Sequence, residues 1–215
     1  MSEFAAMNAE LGISKLQALM RGKKTREGEY SRAKAGATIL CPHYASPPSV
    51  IEAILSRVGN KLDDADALFY DLGCGDGTVL IGVASALHNT TCIGIDVDAT
   101  LCATARRKRS EVETNISDRI TIRQEDLAQF SFSSNDEGDC IKNGASPSVV
   151  FAFLVPSCLK ILSGTILKDL EKGTILLSYK FPLPEVDGWI PTDIVTVDDA
   201  VKKGAMTSVF KYVVC

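Results

Sequence analysis

From residue 47 onward the chain alternates short apolar runs with longer amphipathic stretches, and few folds accept that alternation. "PPSVIEAILSRVG" is a helix pattern opened by Pro47 and Pro48 and stopped by Gly59. The apolar run "ALFYDLG" suits a buried strand, "GTVLIGVASALH" a helix and "TCIGIDV" a second strand. Then come helix "ATLCATARRKRSEVE", strand "RITIRQ", a polar loop over residues 131–147, strand "SVVFAFLV", helix "SCLKILSGTILKDLE" and strand "GTILLSYKF". Two extended runs, "TDIVTVDD" and "MTSVFKYVVC", follow with no helix between them. Buried strands alternating with helices predict a Rossmann-like, doubly wound α/β fold whose seven-stranded sheet is mostly parallel. A short connection joins antiparallel neighbours, so the last strand is predicted to be antiparallel.

The first 35 residues read differently. "AAMNAELGISKLQALM" predicts a short amphipathic helix with Leu11, Leu16, Leu19 and Met20 on one face. The basic, glycine-bearing stretch "RGKKTREGEYSRAKAG" reads as a solvated linker, with substrate docking as the alternative. Residues 1–35 are therefore set apart from the domain at 36–215.

At 215 residues, 46% hydrophobic and 23% charged, the chain can bury one core without disulfides or metal. The seven cysteines, at 41, 74, 92, 102, 140, 158 and 215, form no C-x-x-C pair, and His43 and His88 are the only histidines available to join them. That pattern predicts reduced thiols in a cytosolic compartment and no metal site. A formal net charge of −4 gives no reason to expect a nucleic-acid partner. No apolar run approaches the roughly 20 residues that span a bilayer. The N-terminus lacks a secretory h-region and carries Glu3 and Glu10, and Cys215 is no prenylation box. A soluble cytoplasmic protein is the expectation.

The chemistry concentrates in "YDLGCGDG", residues 70–77. A parallel sheet binds its ligand beyond the carboxyl ends of its strands, where the strand order reverses. The first strand ends at Asp71, and Gly73 and Gly75 remove side chains so that backbone can approach a ligand. A dinucleotide fingerprint would need glycine or alanine where Thr78 stands, and it usually lacks an acid at the strand end. Two further strands also end in acids, Asp96 and Asp126. Asp98 fits a helix N-cap. The run "ARRKR", residues 105–109, reads as a solvated helix face, and the single Trp189 as either a packing or a substrate-contacting residue.

"DLGCGDG", with these acids behind it, resembles motif I of the class I S-adenosylmethionine (SAM)-dependent methyltransferases. The resemblance implies SAM as cofactor. It implies that Asp71 orients the methionine end and that Gly73, Cys74 and Gly75 pass beneath the cofactor. It further implies that Asp96, followed by Val97, accepts the ribose hydroxyls. Asp126 would accept from the adenine amine while the Leu127 amide faces the ring. The series "HYASPPSVIEAIL", "YDLGCGDGTVLIGVA", "VVFAFLVPSCLKIL" and "LSYKFPLP" is similar to the small seven-strand protein-lysine methyltransferases that act on the adenine nucleotide translocase and the ATP synthase c subunit. That similarity covers residues 41 to 184 and implies a protein partner. Thr78 departs from the arginine common there. Tyr44 matches an aromatic of the family and is expected to cover the cofactor's methionine, with plain loop packing as the alternative.

The turn "FLVPS" offers Phe153, Leu154 and Pro156 as apolar walls for an acceptor amine. It lacks the D/N-P-P-Y/F box of many other amino-group methyltransferases, and no residue presents itself as a catalytic base. A small-molecule N- or O-methyltransferase and a non-catalytic SAM-binding subunit remain as alternatives to the lysine reading.

Overall fold

One sheet carries strands β1 (Leu68–Leu72), β2 (Thr91–Asp96), β3 (Ile120–Gln124), β4 (Val149–Ala152), β5 (Ile175–Tyr179), β6 (Asp193–Asp198) and β7 (Met206–Val213). The computed structural model describes residues 41, 43–62, 66–132, 146–184 and 188–215. The expected N-terminal helix and linker, and most of the polar loop, lie outside the described residues. The strand order is β3-β2-β1-β4-β5-β7-β6. β1 to β5 pair in parallel, and β7 runs antiparallel to both β5 and β6. The order reverses between β1 and β4, as the sequence pattern requires of a doubly wound sheet.

The last strand is thus antiparallel, as expected, but it is not the edge: it slots between β5 and β6. Burial explains why. β7 buries Val209, Phe210 and Tyr212, whereas β6 buries only Val197 and alternates with polar side chains. The more apolar strand takes the inner place, and the polar one manages the solvent edge.

Five α-helices complete the described fold: α1 (Pro48–Val58), α2 (Thr78–Ala86), α3 (Ala99–Ser110), the single turn α4 (Thr114–Ser117) and α5 (Pro156–Gly164). In α1, Val50, Ala53, Ile54 and Val58 are buried, one stripe at helical spacing. Full burial of each larger aliphatic contributes about 1.5–3 kcal/mol. Asp98 caps α3 through bonds from the amides of Thr100 (2.7 Å) and Leu101 (3.1 Å). Arg119 precedes β3 and donates to the carbonyls of Ala84, Leu87 and Thr90, closing the end of α2.

One expectation needs correction. The helix predicted through residues 157–171 breaks: α5 stops at Gly164, and a 3₁₀ turn follows at Ile166–Asp169. The Thr165 hydroxyl bonds back to the Ile161 carbonyl at 2.9 Å, competing with continuation of the helix. The "ARRKR" run is exposed at Arg106 and Arg107, as a solvated face should be, and its side chains are also tied to neighbouring groups. Arg106 donates to the Ile122 carbonyl, Lys108 to Asp76 and Arg109 to the Ser117 carbonyl; the exposed Arg107 pairs with Glu111. Trp189 packs edge-on against Tyr212, with ring centroids 5.9 Å apart.

Candidate functional site

Parallel register brings the ends of five strands to one edge. Leu72 pairs with Ile95 and with Ala152, Asp96 with Gln124, and Ala152 with Ser178. The glycine turn leaves β1 at this edge and is stitched to β2: the amides of Gly73 (2.8 Å) and Cys74 (3.0 Å) both donate to the Ile95 carbonyl. Asp96 completes the tie. Its Oδ2 accepts from the Gly75 amide and its Oδ1 from the Asp98 amide, each at 2.8 Å. A carboxylate has about four acceptor positions, so two remain for a ligand.

The glycines are required by what stands behind them. Gly73 has φ 81°, and a Cβ there would lie 2.8 Å from Leu154 Cδ2. Gly75 has φ 54°, and a Cβ there would overlap the His43 ring. These are left-handed conformations that suit glycine. The turn is therefore bare backbone, with Leu154 beneath one glycine and His43 over the other.

Beside it lies a narrow cleft lined by His43, Tyr44, Asp71, Gly73, Cys74, Asp76, Thr78 and Phe153, among others. Of the predicted site residues, Tyr44, Asp71, Gly73, Cys74 and Phe153 meet here. Asp96 and Val97 stand at the end of β2, along the same sheet edge. Asp126 and Leu127 follow β3 and are held near Asp96, because the Glu125 amide donates to the Asp96 carbonyl at 3.0 Å. Asp126 also accepts from the Ala128 amide at 3.0 Å, fixing the turn after β3. Leu127 and Leu154 are buried, and Pro156 sits in the first turn of α5 outside the cleft lining.

Electrostatics single out Asp71. It is 3% exposed. Burial, then the nearby charges of Asp96 and Asp76, push its carboxyl up to about 8. An acid so placed stays protonated near neutrality until a cation arrives. Burial also raises Asp96, against the bonds from the Asp98 and Gly75 amides. Asp76 goes the other way: burial opposes its ionisation, but bonds from Lys108 and Thr78 outweigh it. Lys108 Nζ stands 2.6 Å from Asp76 and 2.9 Å from the Thr78 hydroxyl. Thr78 is thus part of an ion-pair lock joining the glycine turn to the end of α3. Residue spacing gave no signal for a pair 32 positions apart.

On the far side of the cleft, Phe153 packs edge-on against Tyr179, with centroids 4.5 Å apart. The Tyr179 hydroxyl donates to the Asp198 carbonyl (2.6 Å) and accepts from the Ala200 amide (2.7 Å). Burial first, with help from Asp199 and Asp198 against the Ala200 bond, pushes the phenol up to about 12. It stays protonated and serves as structure. Lys180, the next residue, pairs with Asp199. His43 and Tyr179 were not among the predicted site residues. His43 has only its position beside Tyr44 to mark it, and Tyr179 reads as one more strand residue.

A SAM-type ligand fits this arrangement: bare glycine backbone under a gap, a buried protonated acid suited to an ammonium group, and a second acid with spare acceptor positions. The ANTKMT methyltransferase domain matches residues 71–192, more than half of the chain. A protein-lysine N-methyltransferase of Saccharolobus islandicus is 26% identical over 159 residues, 74% of this chain and 86% of that protein. A release factor glutamine methyltransferase of Rhodopirellula baltica is 29% identical over 89 residues, 41% of this chain and 29% of that protein. Among solved structures, an RNA methyltransferase from Salinibacter ruber in complex with S-adenosyl-L-homocysteine has a TM-score of 0.60 at 26% identity, over 79% of this chain and 93% of that one. Magnesium protoporphyrin IX methyltransferase from Synechocystis with bound SAM has a TM-score of 0.55 at 17% identity, over 77% of this chain and 78% of that one, and shares the fold. No described helix is long and apolar enough to cross a membrane.

Proposed function

The chain belongs to the ANTKMT methyltransferase domain family and is a SAM-dependent methyltransferase; from that premise we propose that its acceptor is the side-chain amine of a protein lysine. The observation that carries this reading is the Phe153–Tyr179 wall, because Phe153 lines the same narrow cleft as Asp71 and Gly73. An extended lysine buries its methylenes against apolar surface while its amine reaches inward. The Saccharolobus relative, a protein-lysine methyltransferase by name, supports the same acceptor class.

When bound, SAM would supply a methyl group on a sulfonium, open to attack by an uncharged amine with S-adenosylhomocysteine as the leaving group. Each residue of the chain then has a task. Asp71 would give up its proton and hold the methionine ammonium. Asp96 accepts from the ribose hydroxyls with the positions its backbone bonds leave open. Asp126 and the Leu127 amide face the adenine. Tyr44 and His43 cover the glycine turn. Phe153, backed by Tyr179, excludes water from the acceptor and so lowers the pKa of its amine, since burial disfavours the ammonium form. Positioning and desolvation supply the acceleration, and no general base is invoked. The methyltransferase domain is proposed to span residues 36–215.

An acceptor in RNA is disfavoured by charge. The net charge is −4, and the basic run at 105–109 is engaged within the protein. The test is to incubate the full chain with SAM labelled in the methyl group and a cell extract, then fractionate into protein, RNA and small molecules. Label in protein, released on hydrolysis as methyl-lysine, supports the reading. Label confined to RNA or to metabolites overturns it.

A further inference from the structure

Two of the thiols that the mechanism leaves unused, Cys41 and Cys158, stand together at the start of α5. Cys41 Sγ accepts from the amide of Val155, the N-cap residue of that helix, at 3.0 Å. Cys158 lies three residues further on, and its own amide donates to the Val155 carbonyl at 2.9 Å. The two thiols share a hydrogen bond. Neither is in a disulfide; Cys158 is buried and Cys41 partly buried. They are 117 positions apart in sequence, 158 less 41, so only the fold brings them together.

Two neighbouring elements give the contact its meaning. Cys41 leads directly into His43 and Tyr44, which line the cofactor cleft. Cys158 is on the helix that follows Phe153 and Leu154, the acceptor wall and the support beneath Gly73. A covalent link here would clip the segment covering the cofactor to the turn leading from the acceptor.

We propose that Cys41 and Cys158 form a redox-active dithiol that closes to a disulfide by exchange with a low-molecular-weight disulfide such as glutathione disulfide. The reaction balances in two steps. Cys41, the less buried of the two, passes its proton across their shared bond to the Cys158 thiolate as it attacks one sulfur of glutathione disulfide, and one glutathione thiolate leaves. Cys158 loses its proton and attacks Cys41 Sγ, and the second glutathione thiolate leaves. The protein gives up two electrons and two protons, and one disulfide is reduced to two glutathione thiols. Cys158 is prepared for the first step, in which it takes the proton of Cys41. Its bond from Cys41 holds it below the usual thiol range against the cost of burial, with help from Ser157, while Cys41 is driven upward by the same bond and then by burial.

The test equilibrates the full native chain with reduced and oxidised glutathione at a series of ratios, then alkylates, digests and maps disulfides by mass spectrometry. The expected result is a peptide pair joined through Cys41 and Cys158, lighter by two hydrogens and restored by reductant. The oxidised protein is also expected to release prebound S-adenosylhomocysteine several-fold more slowly. Cys41→Ser and Cys158→Ser should each abolish both changes, and a melting curve of each reduced variant shows that it is folded. If Cys158→Ser fails to fold, Cys41→Ser decides alone, because Cys41 is only half-buried. Mixed glutathione disulfides that never resolve, a link using Cys215 instead, or a Cys41–Cys158 link that leaves cofactor release unchanged would each overturn the proposal.

Discussion

The Gly75 amide donates to Asp96 Oδ2 at 2.8 Å, so the glycine turn and the end of β2 form one unit. Asp96 has two duties: it holds the turn and, in the proposed site, it accepts from the ribose. The two separate by substitution. Asp96→Asn keeps one oxygen for the Gly75 amide but loses the charge, whereas Asp96→Ala loses both acceptors. Loss of a bond to a charged group costs about 1.5–3 kcal/mol, so SAM affinity should fall roughly tenfold to over a hundredfold in both variants. The asparagine variant strands the Asp98 amide and the alanine variant strands both amides, at about 1–3 kcal/mol of stability for each, so the alanine variant should melt lower. Calorimetric titration and thermal melting check the two effects, and unchanged affinity in a folded variant removes Asp96 from the site.

Asp71 should make cofactor binding release a proton. Its carboxyl is raised from 3.8 to about 8 by burial and by its acidic neighbours, so at pH 6 the free protein holds it protonated. An incoming ammonium favours the carboxylate, and about one proton should leave per cofactor bound. Titrations at pH 6 in buffers of different ionisation heat measure that number, and Asp71→Asn should reduce it to near zero. The same shift bears on stability. Below pH 3.8 both the folded and unfolded chains hold the proton and the contribution is fully present; it declines as pH rises from there to about 8. Asp71→Asn should therefore flatten that part of the stability profile. A profile identical to the parent's would mean that Asp71 is ionised in the free fold.

Gly75→Ala tests the cover over the turn. Its Cβ would overlap His43, and its φ of 54° is left-handed. The backbone part costs about 1–2 kcal/mol; the steric part depends on whether His43 moves. His43→Ala should relieve the steric part only, so the double variant should be more stable than additivity predicts. Thermal melts of the four proteins settle the coupling. Strict additivity would mean that His43 does not rest on Gly75.

The sheet and the turn were legible because backbone needs write themselves into sequence. Buried parallel strands must be apolar runs, and a chain passing close under a ligand at positive φ must be glycine. Leu68–Leu72, Thr91–Asp96 and Gly73 follow from that. The place of β7 between β5 and β6 depends on comparing the burial of two strands, a relation between segments rather than within one. The lock of Lys108 on Asp76 and the seat of His43 on Gly75 are contacts between distant parts of the chain, with no period to betray them. The break in α5 turns on one hydroxyl, Thr165, bonding back into the helix.

Phe153 and Tyr179 should separate acceptor desolvation from cofactor binding. Phe153→Ala opens the cleft to water while leaving Asp71, Asp96 and the glycine turn in place. Its SAM affinity should stay near that of the parent. Its kcat/KM for the protein acceptor should fall roughly tenfold to a hundredfold, equivalent to about 1.4–2.7 kcal/mol of transition-state stabilisation. The pH dependence of kcat reports groups in the bound complex. In the parent it should break well below the ordinary lysine value of about 10.4, because the apolar wall favours the neutral amine. In Phe153→Ala the break should move upward as water enters. Tyr179→Phe keeps the ring that packs on Phe153 but strands the Ala200 amide and the Asp198 carbonyl. It should cost about 1–3 kcal/mol of stability and leave the pH break where it is. If Phe153→Ala weakens SAM binding as much as turnover, or leaves the kcat profile unmoved, Phe153 does not desolvate the acceptor, and the lysine reading loses the wall on which it rests.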